Sequence, residues 1–229
     1  MEHFIAYEGK TGRMALAEMR EEYAPEFVPG INKRIGVEGT LQRLPYSLEM
    51  GKEWIRSLDK SRGRDEVFAI LLRDSAADGG WRYVGHTGIH GIKWPTGIGT
   101  TGSMIFPAEG RGQGHGTEAK LLLLYHSFYI LGLRKVKSRV KDFNAASLGH
   151  LLKCGYTICG REKEEELHEG EFVDEILLAI FREDFDSVWY RYQETGVLPR
   201  LSDEQRKLIK ATVPVPAGLP YGMAHGIRE

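Results

Sequence analysis

The sequence predicts a mixed α/β domain, and two observations carry this prediction. Stretches in which apolar and polar residues alternate are interleaved with stretches in which apolar residues recur every three or four positions, the patterns of strands and helices. A glycine-dense stretch, residues 110–116, also joins an extended segment to a helical one. At 229 residues the chain is long enough for one well-buried domain with appendages, or at most two small domains.

The first half of the chain is predicted to form four strands and two helices. Pro25 and Pro29 limit the length of the first helix, and Ser47 is a suitable N-cap for the second. Asp78 and Gly79 mark the loop of a hairpin. The predicted elements are a strand over 13–18, a broken helix over 21–32, a helix over 48–58, strands over 66–73 and 81–92, and a central strand over 100–106.

The stretch 110–116 has glycine at every second position and is followed by a predicted helix over 117–130, which Gly132 ends. Unpaired N–H groups at a helix start, together with the helix dipole, attract a phosphate, and glycine lets the backbone approach it closely. The dinucleotide pattern G-x-G-x-x-G fails here because its third glycine would fall on His115 or Thr117, and the Gly-Lys-Ser/Thr ending of a P-loop is absent. Residues 97–102 do match the dinucleotide pattern, but a strand follows them, so we predict a flexible turn there.

The second half continues with alternating strands and helices. Residues 133–141 alternate strictly, with Val136, Ser138 and Val140 on one face and basic residues on the other, as expected for a strand with a solvated basic edge. The further predicted elements are a helix over 144–153, strands over 155–160 and 171–181, helices over 184–192 and 203–211, and an irregular proline-containing tail.

Composition excludes several classes of function. A net charge of −1 gives no general electrostatic drive toward nucleic acid or a membrane, and no segment has the length and apolarity of a membrane span. Cys154 and Cys159 are expected to be reduced thiols of a cytoplasmic protein. His86 and His90 have a spacing that could hold a metal, but no third ligand is near them in the sequence, so no metal site is predicted.

Four motifs together resemble the GNAT acetyltransferase superfamily, and in particular its branch that acetylates the amino termini of ribosomal proteins. The resemblance runs over residues 13–185. The motifs are Arg111-x-x-Gly114-x-Gly116 continuing into Thr117-Glu118-Ala119, Asn144-x-x-Ser147, Lys153-x-Gly155-Tyr156 and Gly170-x-Phe172-x-Asp174. The resemblance implies a single GNAT-like domain over residues 1–195, with a mixed, mostly antiparallel sheet of about six to seven strands flanked by helices. A C-terminal helix and a proline-rich tail are then expected over 196–229.

The resemblance also implies acetyl-CoA as the co-substrate, with no metal. The pyrophosphate would lie on the glycine-rich stretch, a backbone N–H of the central strand would hold the acetyl carbonyl, and the two early helices would flank the acceptor. The implied cofactor-binding residues are Met104, Ile105, Phe106, Arg111, Gly112, Gln113, Gly114, His115, Gly116, Asn144 and Ser147.

Acetylation of an amine requires that the nitrogen lose a proton and that the leaving thiolate gain one. The family branch places a glutamate facing the amine four residues before the glycine of its last motif, which implies Glu166 as base, with His86, His90 and Glu109 as alternatives. The family tyrosine that protonates the thiolate is replaced by Leu151, and Ser147 could take that role or be only a polar helix residue. The acidic run over 162–171 reads as a solvated loop that favours a cationic acceptor.

These features are consistent with two functions, one of an enzyme and one of a binding domain. The first is an acetyl-CoA-dependent N-acetyltransferase that acts by direct attack of a primary amine, either a protein amino terminus or a small cationic amine, in a ternary complex. The second is an inactive CoA-binding sensor or interaction domain, which only the missing tyrosine favours. A nucleotide-dependent redox enzyme is disfavoured by the failed dinucleotide pattern. The sequence leaves the acceptor and the oligomeric state open, a homodimer included.

Overall fold

The computed structural model of the protein describes residues 5–33, 44–106, 112–168 and 170–213, and these contain one sheet of eight strands. Across the sheet the order is β1-β2-β3-β4-β5-β6-β8-β7. All neighbours are antiparallel except β5 and β6, which are parallel. The strands are β1 (Ile5–Glu8), β2 (Met14–Glu18), β3 (Glu66–Arg73), β4 (Trp81–Lys93), β5 (Ile98–Ile105), β6 (Lys135–Lys141), β7 (Thr157–His168) and β8 (Glu171–Phe181).

Six α-helices lie within the described residues, and several begin where the sequence predicts. The hydroxyl of Ser47 accepts the Met50 N–H, and that of Ser202 accepts the Gln205 N–H, so both residues cap helices. The helices are α1 (Ala24–Asn32), α2 (Leu48–Lys60), α3 (His115–Tyr125), α4 (Ala145–Lys153), α5 (Arg182–Thr195) and α6 (Asp203–Thr212). A π-helical turn over His126–Ile130 extends α3.

The helices cover the two faces of the sheet and form two cores. Alternate residues of β3 point to opposite cores, as strand geometry requires. Ala69 and Leu71 pack with α1 and α2, whereas Ile70 and Leu72 pack with the core that includes α3, α4, α5 and α6. Of these, α3 is the most enclosed, because every residue from Thr117 to Leu124 is buried.

The sheet is weakest between β5 and β6, where the backbone ladder covers only three pairs, Ile98–Thr100 with Lys135–Lys137. Beyond this ladder, side-chain hydroxyls replace backbone pairing. Ser138 Oγ donates to the Thr101 carbonyl at 3.2 Å, and the Thr101 and Tyr156 hydroxyls are 2.8 Å apart. We call the space between β5 from Thr101 to Ile105 and β6 from Ser138 to Lys141 the β5–β6 gap.

The structure corrects the predicted fold in four places. The sheet has eight strands instead of six or seven, because β1 precedes the first predicted strand and pairs with β2. The acidic run is not a loop, since β7 continues through it to His168. The predicted turn over 97–102 belongs mostly to β5, and only Gly97 has a left-handed conformation there. The predicted helix over 117–130 is α-helical only to Tyr125, and its last residue, Ile130, is 57% exposed.

The segment after residue 195 packs against the rest of the protein. Ile209 of α6 is buried, Gln205 Nε2 donates to the Leu152 carbonyl at the end of α4, and Arg161 Nη1 donates to the Thr212 carbonyl. Ile209 thereby joins the core of α3, α4 and α5. No helix within the described residues is both long and apolar enough to cross a membrane. The proline-rich tail after residue 213 and Glu109 lie outside the described residues.

Candidate active site

The start of α3 has the geometry of an anion-binding loop. Gly112 and Gly114 have φ of +73° and +88°, conformations that L side chains rarely adopt. Gly114 is the N-cap of α3 and provides no side chain to cap the helix. The Glu118 N–H donates to the Gly114 carbonyl as the first helical bond, so the N–H groups of His115, Gly116 and Thr117 have no partner within the helix. Arg111 lies outside the described residues.

The structure gives two side chains beside this loop, those of Arg13 and His115, roles that the sequence did not predict. Arg13 Nη2 donates to the Gln113 carbonyl at 3.3 Å, which brings a cation to the loop from the turn between β1 and β2. His115 is buried, and burial, followed by the charge of Arg13, lowers the pKa of its imidazole. We therefore expect His115 to be neutral at pH 7 and to offer its backbone rather than a charge to an anion.

Asn144 and Ser147 form the N-terminal cap of α4. Asn144 Oδ1 accepts the Ser147 N–H at 2.9 Å, so the amide oxygen of Asn144 is engaged within the protein. The Ser147 hydroxyl makes no hydrogen bond with the part of the chain that the structure describes. The pair thus has a structural function that the sequence did not reveal, while the hydroxyl of Ser147 is available for a ligand.

The end of β5 separates the three predicted carbonyl-binding residues. The Phe106 N–H donates to the Val84 carbonyl at 2.9 Å, so this N–H is not available to an acetyl group. Because N–H groups alternate in direction along an antiparallel strand, that of Met104 also points to β4, and that of Ile105 points to the β5–β6 gap. Phe106 is therefore not the donor to an acetyl carbonyl, and a hydrogen bond to that carbonyl from the backbone of this strand stays a prediction.

On the opposite face from α3, an aromatic cluster surrounds His86. The ring centroids of Phe27, Trp54 and Phe106 lie 5.7, 5.4 and 5.8 Å from that of His86. Burial lowers the pKa of His86 to about 4, with a smaller contribution from His90. Its Nδ1 is shielded from solvent and has no partner among the described residues. His86 is thus neutral at pH 7 and pairs across the strands with Met104 of β5.

His90 lies on the same face, next to a cavity of ≈ 410 Å³ between α2 and the start of β3. Its Nδ1 is 3.6 Å from Asp65 Oδ1. Burial lowers the pKa of His90, Asp65 opposes that shift, and the charge of Lys120 adds to it. Trp54 and Leu58 form an apolar wall of the same cavity, and its charged lining consists of Asp65 and three basic residues, Lys60, Arg62 and Arg64.

Glu166, the predicted base, is held in an ion pair. Lys141 Nζ lies 2.8 Å from Glu166 Oε2, and both side chains are largely buried. The pairing between β7 and β8 is irregular between Glu162 and Glu166, where β7 contains extra residues. Because β8 lies between β6 and β7, Glu166 is two strands away from the β5–β6 gap, and Lys141 is its link to the gap.

The remaining acidic residues of the last two motifs are engaged structurally. Arg161 binds both Asp142 and Asp174, and the Glu164 N–H followed by Arg161 lowers the pKa of Asp174. Asp174 is thus a paired carboxylate. Three other carboxylates, of Glu162, Glu165 and Glu175, place ligand atoms within 4.8 Å of one another. Arg139 bridges Glu162 and Glu175 at 2.8 and 2.6 Å, so this group reads as an ion-pair network.

One residue in the site could have been singled out from the sequence but was not. Lys120 is 1% exposed, among the apolar residues of α3, and burial lowers the pKa of its ammonium to about 8. A lysine inside the apolar run Ala119-Lys120-Leu121 was the available signal. Fully buried lysines are rare unless they are paired.

Several solved structures of acetyltransferases are similar in fold to this chain. A structure of spermidine N-acetyltransferase from Vibrio cholerae in complex with CoA and spermine has a TM-score of 0.66 at 18% identity, over 76% of this chain and 98% of that one. The ribosomal α-N-protein acetyltransferase RimL in complex with coenzyme A has a TM-score of 0.65 at 17% identity, over 74% and 94%. A putative ribosomal-protein-serine acetyltransferase from Vibrio cholerae has a TM-score of 0.59 at 20% identity, over 78% and 99%.

These identities are low, and the structures therefore show a common fold. No curated protein sequence matches the chain. The family described as "Acetyltransferase (GNAT) domain" matches residues 13–157, which include β2 to α4 and both sides of the β5–β6 gap. The chain belongs to the GNAT acetyltransferase family.

Proposed function

We propose that the protein is an acetyl-CoA-dependent N-acetyltransferase that acetylates a cationic primary amine by direct attack in a ternary complex. The observation that carries this proposal is the position of the β5–β6 gap. The end of β5 that has left its parallel ladder leads directly into the glycine-rich loop and the start of α3. A molecule with a pyrophosphate at one end and an amide-containing arm at the other fits this arrangement, because the arm can pair with strand backbone.

The acceptor would approach from the face of α1 and α2. His86, Phe106 and Trp54 form an apolar wall there, and Asp65 and His90 lie at the adjoining cavity. An aromatic wall suits a cationic amine, and Asp65 is the carboxylate of a cavity lining that also contains Lys60, Arg62 and Arg64. The similar structures include one with spermine and others named for ribosomal-protein acetylation, and both a polyamine and a protein amino terminus fit this description.

The proton balance separates these two acceptors. At pH 7 an α-amino group with a pKa of ~8 costs about 1 kcal/mol to deprotonate, and a lysine-like amine with a pKa of ~10.4 costs about 4–5 kcal/mol. A polyamine therefore requires a stronger base in the site than an amino terminus does. Glu166 is the proposed base, and Ser147 is proposed to serve the leaving thiolate. Both thiols are free, which agrees with a cytoplasmic location.

Release of free thiol from acetyl-CoA tests the proposal. The purified chain would be incubated with acetyl-CoA and a panel of amino-terminal peptides, polyamines and aminoglycosides, and the acetylated product would be identified by mass spectrometry. We expect thiol release well above hydrolysis for at least one cationic amine. If CoA binds but no amine is acetylated, the chain is a CoA-binding sensor or interaction domain, the alternative function.

A further inference from the structure

Lys120 carries a charge that the protein does not balance. It is among the largest fully buried side chains and makes no hydrogen bond or ion pair with any described residue. Glu118, the acidic residue closest to it in sequence, is bound to Thr11 and Tyr192 instead. An unpaired buried charge is costly, and such groups cluster at functional sites.

The surroundings of Lys120 place its side chain between α3 and α4, on the side of α3 that faces the end of β5. Lys120 is one helical turn after Gly116, on the same face of α3. A Cβ at Gly116 would lie 3.7 Å from Ile105 Cδ1 at the end of β5. On the side of α4, Cys154 Sγ contacts the Thr117 carbonyl at 3.8 Å. Lys120 thus lies where α3, α4 and the open end of β5 meet.

The titratable groups around Lys120 are neutral or of the same sign. On α4, burial followed by the charge of Lys120 lowers the pKa of His150 to about 3. Burial raises the pKa of Cys154 to about 12. The charge of Lys153 lowers the pKa values of His150 and Cys154, as the charge of Lys120 also does. His90, on the opposite face of the sheet, also has its pKa lowered in part by Lys120. The charge of Lys120 therefore acts on titratable groups on both faces of the sheet.

We propose that Lys120 is the general acid of the acetyl transfer and gives its proton to the coenzyme A thiolate as that group leaves. This inference rests on the proposed function. The neutral acceptor nitrogen attacks the thioester carbon and loses one N–H proton to the proposed base, Glu166, while the C–S bond breaks and sulfur keeps the electron pair. An N–H bond of the ammonium then breaks as the S–H bond forms, which leaves a neutral lysine amine that regains a proton from solvent.

The chemistry suits a buried lysine better than a hydroxyl. A thiolate leaving into an apolar site needs a positive charge before the proton moves and a proton afterwards, and an ammonium supplies both. A serine hydroxyl such as that of Ser147 supplies a hydrogen bond but no charge. Lys120 therefore provides the function that the family tyrosine, replaced by Leu151, would have had, and Ser147 is left to orient the arm or the sulfur.

Replacement of Lys120 by methionine tests the kinetic part of the inference. Methionine keeps most of the volume and removes both the charge and the proton. We expect kcat to fall by roughly 10²–10³-fold with little change in the KM for acetyl-CoA, as for loss of a general acid. In the wild type, kcat should decline above about pH 8, where Lys120 loses its proton, and this basic limb should be absent in the variant. Lys153→Met, which removes a charge from the same cluster, is the matched control and should retain both kcat and the limb.

Two results of that experiment would overturn the inference. An unchanged kcat with an unchanged pH profile would leave Lys120 without a chemical role. A raised KM with an unchanged kcat would make Lys120 a binding cation rather than an acid. Loss of folding is not the expected outcome, because removal of an unpaired buried charge should raise the melting temperature.

A second measurement needs neither a variant nor a known acceptor. The wild-type chain would be titrated by calorimetry with CoA and with desulfo-CoA, which lacks the thiol, between pH 7 and pH 9. An ammonium at the sulfur should favour the thiolate, so we expect CoA to bind several-fold more tightly than desulfo-CoA and to release protons on binding. Equal affinities without proton release would overturn the inference even if the chain acetylates amines. Failure of the proposed function would appear separately, as the absence of thiol release that depends on an added amine.

Discussion

Tyr192 of α5 donates a hydrogen bond to Glu118 Oε1 of α3 over 2.5 Å, and the two residues are buried. Thr11, in the turn after β1, donates to the same carboxylate from its N–H and its hydroxyl, at 3.0 and 2.6 Å. Glu118 is therefore the point at which the start of the chain, the helix after the phosphate loop and the last large helix are joined. Its place in the glycine-rich motif has a structural reason, because its carboxylate accepts hydrogen bonds from Thr11 and Tyr192.

We predict that Tyr192→Phe lowers the free energy of unfolding by about 1.5–3 kcal/mol, since it removes a hydrogen bond to a buried charged group. The measurement is denaturation in guanidinium chloride. Tyr190→Phe is the matched control, because Tyr190 is 58% exposed, and it should change stability by no more than about 0.5 kcal/mol. Equal effects of the two substitutions would contradict the joining role of Glu118.

We predict that Gly114→Asp abolishes CoA binding while the fold survives. The substitution places a carboxylate against the phosphate, and its Cβ would lie 2.5 Å from Leu198 Cδ1 at a position with φ of +88°. Gly132→Asp is the control, because Gly132 also has a positive φ but nothing within 4 Å of the added Cβ. Calorimetry with CoA should show binding to the control and none to Gly114→Asp. Undiminished affinity in Gly114→Asp would remove the phosphate-loop assignment.

The function of Ser147 can be separated from that of Asn144 by two substitutions. Ser147→Ala keeps the backbone N–H that Asn144 caps, so we expect a lower kcat, little change in the KM for acetyl-CoA and little change in stability. Asn144→Ala removes the cap and should cost about 1 kcal/mol of stability. Steady-state kinetics and thermal melts check both. An unaltered kcat in Ser147→Ala would leave Ser147 as a helix residue only.

If Glu166 takes the proton of the amine, Glu166→Gln should lower kcat/KM by roughly 10²–10⁴-fold, and the loss should shrink as pH rises because more amine is then neutral. Lys141→Met removes the partner of the ion pair, so kcat/KM should also change in this variant if Glu166 acts on the amine. A profile of Glu166→Gln that runs parallel to the wild type would exclude Glu166 as base. His86, which pairs across the strands with Met104 of β5, would then be the next candidate for the base.

The neutral state of His86 predicts a dependence of stability on pH. Its pKa of about 4 in the folded chain is below the usual value of 6.5. The unfolded chain therefore binds a proton that the folded chain does not, and stability falls as pH is lowered from about 6.5 to about 4. The contribution of this one group is roughly 3 kcal/mol.

We expect His86→Phe, which keeps a ring among Phe27, Trp54 and Phe106, to flatten that dependence in part. His150 also has a lowered pKa, of about 3, and continues to contribute in the variant. Denaturation at several pH values between 4 and 7 is the measurement. A slope identical to that of the wild type would mean that His86 is charged in the folded chain or does not change its protonation on unfolding.

Local patterns were enough to predict most elements. The strand over residues 66–73 and the cap at Ser47 agree with β3 and α2, because alternation and capping are properties of neighbouring residues. The acidic run was misread as a loop, since its charges are neutralised by Lys141 and Arg139 of a strand that is not adjacent in sequence. The four residues of β1 are too few for a periodic signal, and only pairing with β2 reveals them.

In the candidate site, too, features set by neighbouring residues were predicted and features set by distant contacts were not. The glycine spacing indicated the anion loop, whose positive φ values the structure contains at Gly112 and Gly114. No sequence pattern could indicate that Arg13 reaches Gln113 or that Phe106 uses its N–H on Val84, because both contacts join distant segments. Lys120 was visible in the sequence, but its lack of a partner is a property of the folded chain.

The position of β8 between β6 and β7 sets the order in which the two halves of the site can be completed during synthesis. Strand β7 leaves the ribosome before β8, yet its only strand partner is β8, so Glu166 and the acidic residues beside it have no sheet to join until β8 has been made. Strands β1 to β5 already pair in sequence order as they emerge. We infer that the nascent chain first forms the aromatic cluster around His86. The acidic residues of β7 find their place in the sheet only when the last quarter of the polypeptide has been made. Leu198, which packs next to Gly114, is also made at that stage.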